Sequence, residues 1–486
     1  MRRLILGPPG TGKTTRLLNL VDDYIASGVA PERIAFLAFT RAAANEAVTR
    51  AVERFGVART RFPYFRTLHS LAYRMLGLNR HEVMGEDQWE QFGASIGARL
   101  APNALRAAAL WEPTGLSRSH DGEALRCYLL ARARCLSIED EWAATAYDVP
   151  LWYVQRFVAA LDAFKSENTL LDYADFLDST THALDVDVVI VDEAQDLTQQ
   201  QWRLLQRLAA RARDVIAAGD DDQAIYRWAG ADLSTLLALD WDREVLPISY
   251  RLPAPIKEYA ERIISRAARR FAKPFAAAPH AGRVDVMSAR QVEIDSGSWL
   301  LLARTHSQTA ELLGIARSSG RVYEYNGMRS TDTPAVRAVI AYTSLCAGRA
   351  IPAKDWPSLR ALWAAARGYG VAGMREIEPA LLPDAARADV ERKRPWWEAL
   401  DVSPYESTYI RALLRRGEKL SQPAAVRVRT IHAAKGAEAE SVLLLGKPAA
   451  HRQVDLEEEV RVWYVGATRA RCRLVLAQHD GNALLG

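Results

Sequence analysis

A glycine-rich segment near the first residue constrains the fold of this chain more than any other feature. It reads Gly7-Pro8-Pro9-Gly10-Thr11-Gly12-Lys13-Thr14 and lies between an apolar run at 4–6 and a stretch with helical spacing at 17–21. A strand, a glycine loop and a helix in this order hold a polyphosphate, because the N–H groups of the loop point inward and the positive end of the helix adds to their field. In such a loop Lys13 contacts the β- and γ-phosphates, and the Thr14 hydroxyl is a ligand for Mg²⁺. The segment therefore predicts binding of a nucleoside triphosphate, and the alternative of an ordinary glycine turn fits the complete pattern poorly.

The size and charge of the chain limit the remaining possibilities. A chain of 486 residues is long enough for about three or four domains, each with its own core. Its 49% hydrophobic and 25% charged residues are ordinary for a soluble globular protein, and its net charge of +4 permits a nucleic-acid partner without requiring one. The four cysteines lack metal-ligand spacing, which indicates a reducing compartment and neither zinc nor an iron–sulfur cluster. The sequence shows no signal-peptide pattern and no apolar run of membrane-spanning length, so we expect a protein without membrane contact that is cytoplasmic or acts inside a host cell.

Apolar runs alternate with helical patterns in the first half of the chain. Strands are predicted at 33–40, 186–191 and 215–219, with a further strand end at 65–70. Strands that alternate with helices form a parallel sheet, whose ligands gather at the carboxyl ends of the strands. From about 77 to 173 the chain is rich in Ala, Leu, Arg and Trp and lacks a clear strand pattern, which predicts an inserted helical subdomain.

A second unit of strands and helices begins near Val245. Its strands are predicted at 284–287, 299–303, 322–325, 426–431, 442–445 and 474–477, and a helical segment with Pro and Trp interrupts them. The predicted fold class is α/β, with two parallel-sheet domains that each carry a helical insertion. The predicted limits are 1–76 and 174–247 for the first domain, 77–173 for its insert, 248–348 and 423–486 for the second domain, and 349–422 for its short insert.

Two polar segments follow predicted strands of the first domain. The first, Asp192-Glu193-Ala194-Gln195-Asp196, ends the most apolar strand of the chain. Beside a triphosphate, Asp192 can hold Mg²⁺ directly or through water, and Glu193 can polarise the attacking water as a general base. The alternative is a solvated acidic turn or a helix N-cap. The second segment, at 219–223, ends in Gln223, which can contact the γ-phosphate but is weak evidence when taken alone.

With further blocks along the chain, these segments resemble the superfamily 1 DNA helicases of the UvrD/Rep/PcrA type. The matching blocks are Phe39-Thr40, Thr67-Leu68-His69-Ser70, 192–196, 219–231, Ser249-Tyr250-Arg251, 429–436 and 464–470. They stand in the family's order and span nearly the whole chain, whereas the two helical inserts match in position only. The resemblance implies an ATP-hydrolysing enzyme built on two RecA-like domains that hold ATP between them.

The resemblance also implies roles for single residues at the nucleotide. Catalytic roles fall to Lys13, Glu193, Gln223, Arg251 and Arg469. In similar helicases the two arginines reach the γ-phosphate from the second domain and stabilise transition-state charge. Tyr250 would stack on the base, Glu438 would approach the ribose, and Thr14 and Asp192 would be the metal ligands. The implied nucleotide contacts are Gly7, Pro8, Pro9, Gly10, Thr11, Gly12, Lys13, Thr14, Thr15, Arg16, Tyr250, Arg251, Gly436, Glu438 and Arg469.

The same blocks imply a channel for single-stranded DNA. Single strands are held by aromatic faces and backbone contacts, which tolerate any base sequence. The residues implied are Phe39, Thr40, Thr67, His69, Tyr226, Trp228, Thr430 and His432. For Phe39 and Tyr226 core packing is the alternative, whereas Trp228 lies in a polar stretch beside Arg227. A basic and aromatic segment at 392–397 leaves two interpretations open, contact with duplex DNA or a solvated helix end.

Together these features predict an ATP-dependent helicase or translocase that acts as a monomer on single-stranded DNA and on single/double-strand junctions, and the family resemblance implies that it moves 3′ to 5′. ATP and Mg²⁺ are the predicted cofactors, and hydrolysis at the cleft between the domains would drive strand movement. Two alternatives stay open, a translocase that strips proteins from DNA with little unwinding and a regulatory ATPase that switches partner binding. In this family a glutamine upstream of the phosphate loop reads adenine, and the residues before Gly7 leave no room for it. We therefore also expect hydrolysis of GTP at a rate within about tenfold of that of ATP.

Overall fold

The computed structural model describes residues 1–98, 100, 119–371, 373–418, 423–447 and 455–477. Parts of the predicted domains, at 99, 101–118, 372, 419–422, 448–454 and 478–486, lie outside the described residues. The chain divides into two compact units, each made of segments that are not consecutive in sequence. The first unit holds Met1–Arg251, Ile264–Pro279 and Asp455–Arg461, and the second holds Leu252–Ile263, His280–Val454 and Val462–Gly486.

The first unit is built on a six-stranded parallel sheet. Its strands are β1 Arg2–Leu6, β2 Ile34–Ala38, β3 Phe65–Thr67, β4 Val188–Val191, β5 Asp214–Gly219 and β6 Asp242–Val245. The spatial order is β3-β2-β4-β5-β1-β6, so the strands that precede the glycine loop and the acidic segment lie near the middle. The strands predicted at 33–40, 186–191 and 215–219 are confirmed within a few residues. The segment at 65–70 holds only the short β3 before a helix begins at Leu68.

The helices described in the first unit include those that cover the two faces of this sheet and those of the insert. They are α1 Lys13–Ala26, α2 Arg41–Phe55, α3 Leu68–Met75, α4 Glu86–Ser95, α5 His120–Arg134, α6 Ile138–Ala144, α7 Leu151–Glu167, α8 Tyr173–Ser179, α9 Gln199–Leu208 and α10 Leu233–Leu237. Alternate residues of a strand point to opposite faces, so Val188 and Ile190 pack with α1 and α2 while Val189 and Val191 pack with α3 and α9. Every residue of β4 and β5 is buried, as is typical of parallel strands covered on both faces.

The insert predicted at 77–173 is helical wherever the structure describes it as regular, and it has a core of its own. Helices α4, α5 and α7 contribute Trp89, Phe92, Leu125, Phe157 and Leu161 to one apolar cluster. A single bridge between Val83 and Leu171 joins the two ends of the insert.

The second unit is built on a seven-stranded sheet. Before this sheet in the chain, β7 Ile248–Pro253 and β8 Ala276–Ala278 pair with each other. The seven strands of the sheet are β9 Arg283–Met287, β10 Trp299–Ala303, β11 Tyr323–Tyr325, β12 Met328–Arg329, β15 Val426–Thr430, β16 Ala439–Leu445 and β17 Ala470–Ala477, and the strands β13 Ile351–Pro352 and β14 Glu376–Ile377 form a separate pair. The spatial order is β12-β11-β15-β10-β16-β17-β9, and only the edge strand β12 runs antiparallel to its neighbour. All six predicted strands are confirmed, and the α/β fold class with two parallel sheets is confirmed with them.

The helices of the second unit include those of the second insert. They are α11 Ala254–Ile264, α12 Thr309–Ser318, α13 Pro334–Cys346, α14 Trp356–Leu362, α15 Asp384–Glu391, α16 Trp396–Ala399, α17 Pro404–Arg416 and α18 Leu456–Ala467, whose first turns belong to the first unit. Buried tryptophans at 356, 363 and 396 dominate the core of the insert. In contrast, Tyr409 and Leu413 on α17 pack in the core of the large sheet.

Among the residues that the structure describes, no helix combines the length and apolar character needed to cross a membrane.

Candidate nucleotide site and nucleic-acid surface

The predicted phosphate loop connects β1 to α1 at the carboxyl end of the first sheet. Gly7 N–H donates to Gly219 O at 3.0 Å, which fixes the start of the loop to β5. Gly10 and Gly12 have φ of 74° and 77°, in the left-handed region that favours glycine, so the chain turns tightly before α1 begins. The Lys13 side chain folds back across the loop, and its Nζ donates to Gly7 O at 3.1 Å. A Cβ on Gly7 would lie 1.9 Å from Lys13 Cγ, so glycine at position 7 leaves the space that the lysine occupies.

A hydroxyl and a carboxylate meet beside this loop. Thr14 Oγ1 donates to Asp192 Oδ2 at 3.1 Å, which joins the first turn of α1 to the end of β4. Burial, together with the neighbouring charge of Glu193, raises the pKa of Asp192 to about 6. Mg²⁺ prefers oxygen ligands of these two kinds, and a cation there would compensate the buried carboxylate. The residues present therefore fit the predicted metal site.

Glu193 follows Asp192 in a strained conformation, with its carboxylate held by an amide. Its φ of 54° lies in the left-handed region, which costs a residue with a side chain about 1–3 kcal/mol. Its N–H donates to Asp192 Oδ1 at 2.9 Å, and Gln195 Nε2 donates to Glu193 Oε2. The turn therefore directs the two adjacent carboxylates to different partners, Asp192 to Thr14 and Glu193 to Gln195.

Gln223 lies on the turn that follows β5, the neighbour of β4 in the sheet. Its Nε2 donates to Asp220 Oδ2 at 2.7 Å, and Asp220 N–H donates to Gln195 Oε1 at 3.1 Å. The two polar segments found in the sequence are thus joined by side-chain hydrogen bonds, and the structure brings Glu193 and Gln223 to the same edge of the sheet.

A buried lysine that the sequence analysis missed neutralises the turn after β5. Lys273 Nζ lies 3.4 Å from Asp220 Oδ1 and 2.9 Å from Asp222 Oδ2, and it also donates to Asp221 Oδ1. Arg270 adds two hydrogen bonds to Asp222, at 2.8 and 2.7 Å. Burial alone would lower the pKa of Lys273, but the three carboxylates hold it above its usual value. Three consecutive aspartates after an apolar strand indicate that basic side chains must neutralise their buried charge. The sequence does not show which lysines or arginines do so.

The segment at 249–251 packs directly on the phosphate loop. Ser249 Oγ donates to Pro9 O at 2.8 Å, and Tyr250 N–H donates to Gly10 O at 2.8 Å. A Cβ on Gly10 would lie 2.3 Å from Arg251 Cβ, so this close approach also requires glycine. The Tyr250 side chain is 68% exposed, which leaves its ring accessible for the predicted stacking on a base. Tyr250 and Arg251, which the sequence analysis assigned to the second domain, group with the first unit by their contacts.

The two residues after Thr14 differ in their surroundings. Thr15 is exposed on the first turn of α1. Arg16 donates from Nε and Nη2 to the two carboxylate oxygens of Glu244 on β6, at 2.8 and 3.2 Å. The contact of Arg16 with a nucleotide stays a prediction, and it would have to compete with this bidentate ion pair.

The remaining predicted nucleotide contacts lie in the second unit. Arg469 is buried, and its Nε donates to Val465 O at 2.9 Å on the helix that precedes it. Glu438 Oε1 accepts from Arg471 Nη1 at 3.3 Å, and Gly436 has a left-handed φ of 82°. The roles of Arg469, Glu438 and Gly436 at a nucleotide stay predictions.

Three aromatic side chains predicted to bind DNA form a row at the carboxyl ends of β2 and β5. Phe39 and Tyr226 are stacked, with ring centroids 5.9 Å apart and planes 16° from parallel. Trp228 meets Tyr226 edge to face, at 6.3 Å and 63°. Phe39 is at the limit of full exposure and the other two are half-buried, so these rings, the aromatic row, lie at the surface rather than in the sheet core. This placement argues against packing of Phe39 and Tyr226 in the sheet core, and their contact with DNA stays a prediction.

The predicted threonines and histidines adopt two arrangements. Thr40, Thr67 and Thr430 each cap a helical turn, where the hydroxyl oxygen accepts an N–H from three residues ahead at 3.1 to 3.2 Å. Because the oxygen accepts, the hydroxyl hydrogen can be donated to a phosphate. His69 is packed near β3, and burial lowers its pKa to about 4, so the ring is neutral at pH 7. Thr430 and His432 belong to the second unit.

The basic and aromatic segment at 392–397 divides between core and surface. Trp396 is buried in the core of the second insert, whereas Trp397 is 50% exposed. The Arg411 guanidinium lies 4.9 Å from the centroid of the Trp397 ring, and Arg394 pairs with Asp389 at 3.4 Å. Both interpretations of the surface part therefore stay open.

Comparisons with known proteins cover most of the chain. Residues 2–244 match the model of the UvrD/REP helicase N-terminal domain, and residues 408–481 match that of the UvrD-like helicase C-terminal domain. The chain is 26% identical to the ATP-dependent DNA helicase UvrD2 of Mycobacterium tuberculosis, over 97% of this chain and 76% of that protein. It is 25% identical to the ATP-dependent DNA helicase PcrA of Bacillus subtilis, over 56% of this chain and 38% of that protein. An arterivirus nonstructural protein 10 (helicase) crystal structure aligns with a TM-score of 0.35 and 11% identity, over 100% of this chain and 61% of that chain, and this similarity is too low to carry an argument.

Proposed function

Because the chain belongs to the UvrD/REP helicase family, we propose that it is an ATP-driven translocase that moves 3′ to 5′ on single-stranded DNA and separates strands at single/double-strand junctions. The observation that carries the proposal is the carboxyl edge of the first sheet, where the phosphate loop, the Thr14–Asp192 pair, Glu193 and Gln223 converge. Relatives named as ATP-dependent DNA helicases support ATP as the nucleotide and DNA as the track.

The proposed reaction begins with binding of the triphosphate at the loop. The N–H groups of the loop and the Lys13 ammonium bind the β- and γ-phosphates, and Lys13 has two N–H donors besides the one that it gives to Gly7 O. Thr14 and Asp192 would hold Mg²⁺, which when bound neutralises charge on the phosphates. Tyr250 stacks on the base, supported by the hydrogen bond of its N–H to the loop at Gly10.

Hydrolysis is then assigned to three side chains of the first unit. Glu193 polarises the attacking water, and Gln223 contacts the γ-phosphate from the neighbouring strand end. Arg251, held beside the loop, stabilises charge that develops in the transition state. Each of these interactions depends on the γ-phosphate, so hydrolysis changes all three together.

The aromatic row is the proposed contact with single-stranded DNA. Bases stack on aromatic rings whatever their identity, and the proposed phosphate contacts are Thr40 and Thr67, which cap the helices that follow β2 and β3. Gln223 ends one 3₁₀ turn and Tyr226, three residues further along the chain, precedes the next. A change in the γ-phosphate contact of Gln223 therefore reaches the aromatic row over a short path, which is the proposed link between hydrolysis and movement.

A strand-displacement assay tests the polarity. Duplexes with a 3′ single-stranded tail should be unwound when ATP and Mg²⁺ are present, whereas duplexes with a 5′ tail should remain paired. Unwinding from the 5′ tail alone would contradict the proposal.

Measurement of ATP hydrolysis beside strand separation distinguishes the two alternatives. ATP hydrolysis that single-stranded DNA stimulates strongly, without strand separation on either substrate, would favour a translocase that strips proteins from DNA. Hydrolysis that DNA does not stimulate would favour a regulatory ATPase.

A further inference from the structure

We propose that Gln195 is a positioning residue that holds the Glu193 carboxylate and the Gln223 turn in one fixed arrangement. The inference rests on the function proposed above, in which Glu193 polarises water and Gln223 contacts the γ-phosphate. Gln195 lies on the short turn after β4 and has no exposed surface, so its effect on the reaction is exerted through the residues that it binds.

The hydrogen bonds of Gln195 fix the orientation of its amide. The N–H of Asp220 can only donate, so the side-chain atom that lies 3.1 Å from it must be Oε1. The Nε2 atom then faces acceptors, Glu193 Oε2 at hydrogen-bond distance and Asp196 Oδ2 at 3.5 Å. A carboxylate in place of this amide would keep the acceptor for Asp220 but lose the donor for Glu193.

The space for this contact depends on a glycine. A Cβ on Gly219, the last residue of β5, would lie 2.6 Å from Gln195 Oε1 and 3.3 Å from its backbone nitrogen. Gly219 has no left-handed φ, so its small size, and not its conformational freedom, is what the site uses. The end of β5 is therefore shaped to admit the Gln195 amide.

Three hydrogen bonds make a continuous connection from the proposed base to the proposed γ-phosphate contact. Gln195 joins Glu193 to the backbone of Asp220, and the Asp220 carboxylate accepts from Gln223 Nε2 at 2.7 Å. All the connecting groups are buried, where hydrogen bonds are strong and costly to break. Glu193 and Gln223 therefore do not move independently, and catalysis depends on that shared geometry because small displacements of reacting groups lower rates steeply.

The test compares Gln195→Met with Gln200→Met. Methionine keeps the volume of glutamine and removes its hydrogen bonds. Gln200 is also buried in the first unit, where its Nε2 donates to Ala174 O at 3.0 Å, away from the site. We expect Gln195→Met to lower kcat for ATP by about 10- to 100-fold while KM and the affinity for a non-hydrolysable ATP analogue stay within about twofold. Gln200→Met should leave kcat within about twofold.

A double variant tests whether Gln195 acts through Glu193. Residues that act as a unit have non-additive effects, so Gln195→Met should change kcat by less than about twofold when Glu193 is already Gln. Gln195→Glu, which lacks the donor, should be as slow as Gln195→Met. An unchanged kcat in Gln195→Met or Gln195→Glu, or full additivity with Glu193→Gln, would overturn the inference.

A substitution at Gly219 disturbs the Gln195 amide without changing Gln195 itself. Gly219→Ala leaves Gln195 in the chain but crowds its Oε1, so it should reproduce the loss of kcat, and normal turnover in this variant would count against the inference. If Glu193→Gln itself keeps full turnover, the proposed role of Glu193 as the general base is contradicted, and the proposed function fails with it. If Glu193→Gln is inactive while Gln195→Met is fully active, only the present inference fails.

Discussion

At the scale of single residues, Asp192 and Glu193 show how adjacent carboxylates acquire different tasks. Asp192 continues the direction of β4 and meets the Thr14 hydroxyl, where it is suited to hold a cation. The left-handed turn at Glu193 directs the next carboxylate toward the Gln195 amide, which donates a hydrogen bond to it. Conformational strain at one residue thus separates the proposed metal ligand from the proposed base.

Replacement of the base gives the first prediction at this scale. Glu193→Gln removes the proton acceptor but keeps the shape, so kcat for ATP should fall by about a hundredfold or more, as is typical when a general base is lost. Affinities for nucleotide and for single-stranded DNA should be retained. The measurement is steady-state ATPase, with the exposed Glu46 on α2 changed to Gln as the control. Turnover that survives in Glu193→Gln would remove Glu193 from the role of base.

The roles of single residues were predictable from the sequence where the residues that act together are close along the chain. The phosphate loop was identified because glycine, lysine and threonine stand within eight positions of one another, and such a loop forms from local conformation. Lys273 was missed because it contacts Asp221 over a separation of 52 positions. The pair of Arg16 and Glu244 is separated by 228 positions and was missed for the same reason. Contacts between residues that are distant in sequence depend on the order of the strands in the sheet, and a single sequence does not reveal that order.

At the scale of elements, the aromatic row depends on two strand ends rather than on one motif. Phe39 follows β2, and Tyr226 and Trp228 follow β5, so the sheet order brings the three rings together. The strands themselves were predictable, because runs such as 188–191 are apolar without interruption, as buried parallel strands are. The structure of the segment at 65–70 was harder to predict from the sequence. Thr67 is both the last residue of the strand and the N-cap of the next helix, so one residue marks the end of one element and the start of another.

The row leads to a prediction about binding. Trp228→Ala should weaken binding of single-stranded DNA by about 1–3 kcal/mol, the usual value of one base–aromatic stack, with little dependence on base sequence. ATPase activity without DNA should change little. Fluorescence anisotropy with labelled oligonucleotides measures the affinity.

Trp152→Ala is the matched control for this variant. Trp152 is 61% exposed at the start of α7 in the helical insert of the same unit, away from the row. Its removal should leave the affinity unchanged. An equal effect of the two substitutions, or none from Trp228→Ala, would show that the row is not the binding surface.

At the scale of the whole molecule, the first unit is assembled from three separate stretches of chain. The stretch at 264–279 supplies Arg270 and Lys273, and the stretch at 455–461 supplies Arg461, whose Nε donates to Asp221 O at 2.9 Å. These cations surround the aspartates that follow β5. Distant segments therefore stabilise the turn that carries Gln223.

The buried lysine gives the prediction at this scale. Lys273→Met leaves buried carboxylates without their main counter-charge, so the free energy of unfolding should fall by about 3–5 kcal/mol, the usual cost of breaking a buried ion pair from one side. Lys257→Met is the control, because Lys257 forms a more exposed pair with Glu261 and its loss should cost at most about 1 kcal/mol. Urea titrations followed by circular dichroism measure both. Equal stabilities of the two variants would mean that the cluster does not stabilise the fold.

Assembly from separate stretches also sets the order in which this chain can mature on the ribosome. When Asp220, Asp221 and Asp222 emerge, the codons for Lys273 and Arg461 have not been read, so the nascent turn has none of its cations. Early domains ordinarily fold while later ones are still being synthesised. Here the first unit cannot complete its contacts until translation has passed Arg461, and a ribosome that pauses between the codons for Asp222 and Lys273 would hold a turn whose three carboxylates still lack these cations.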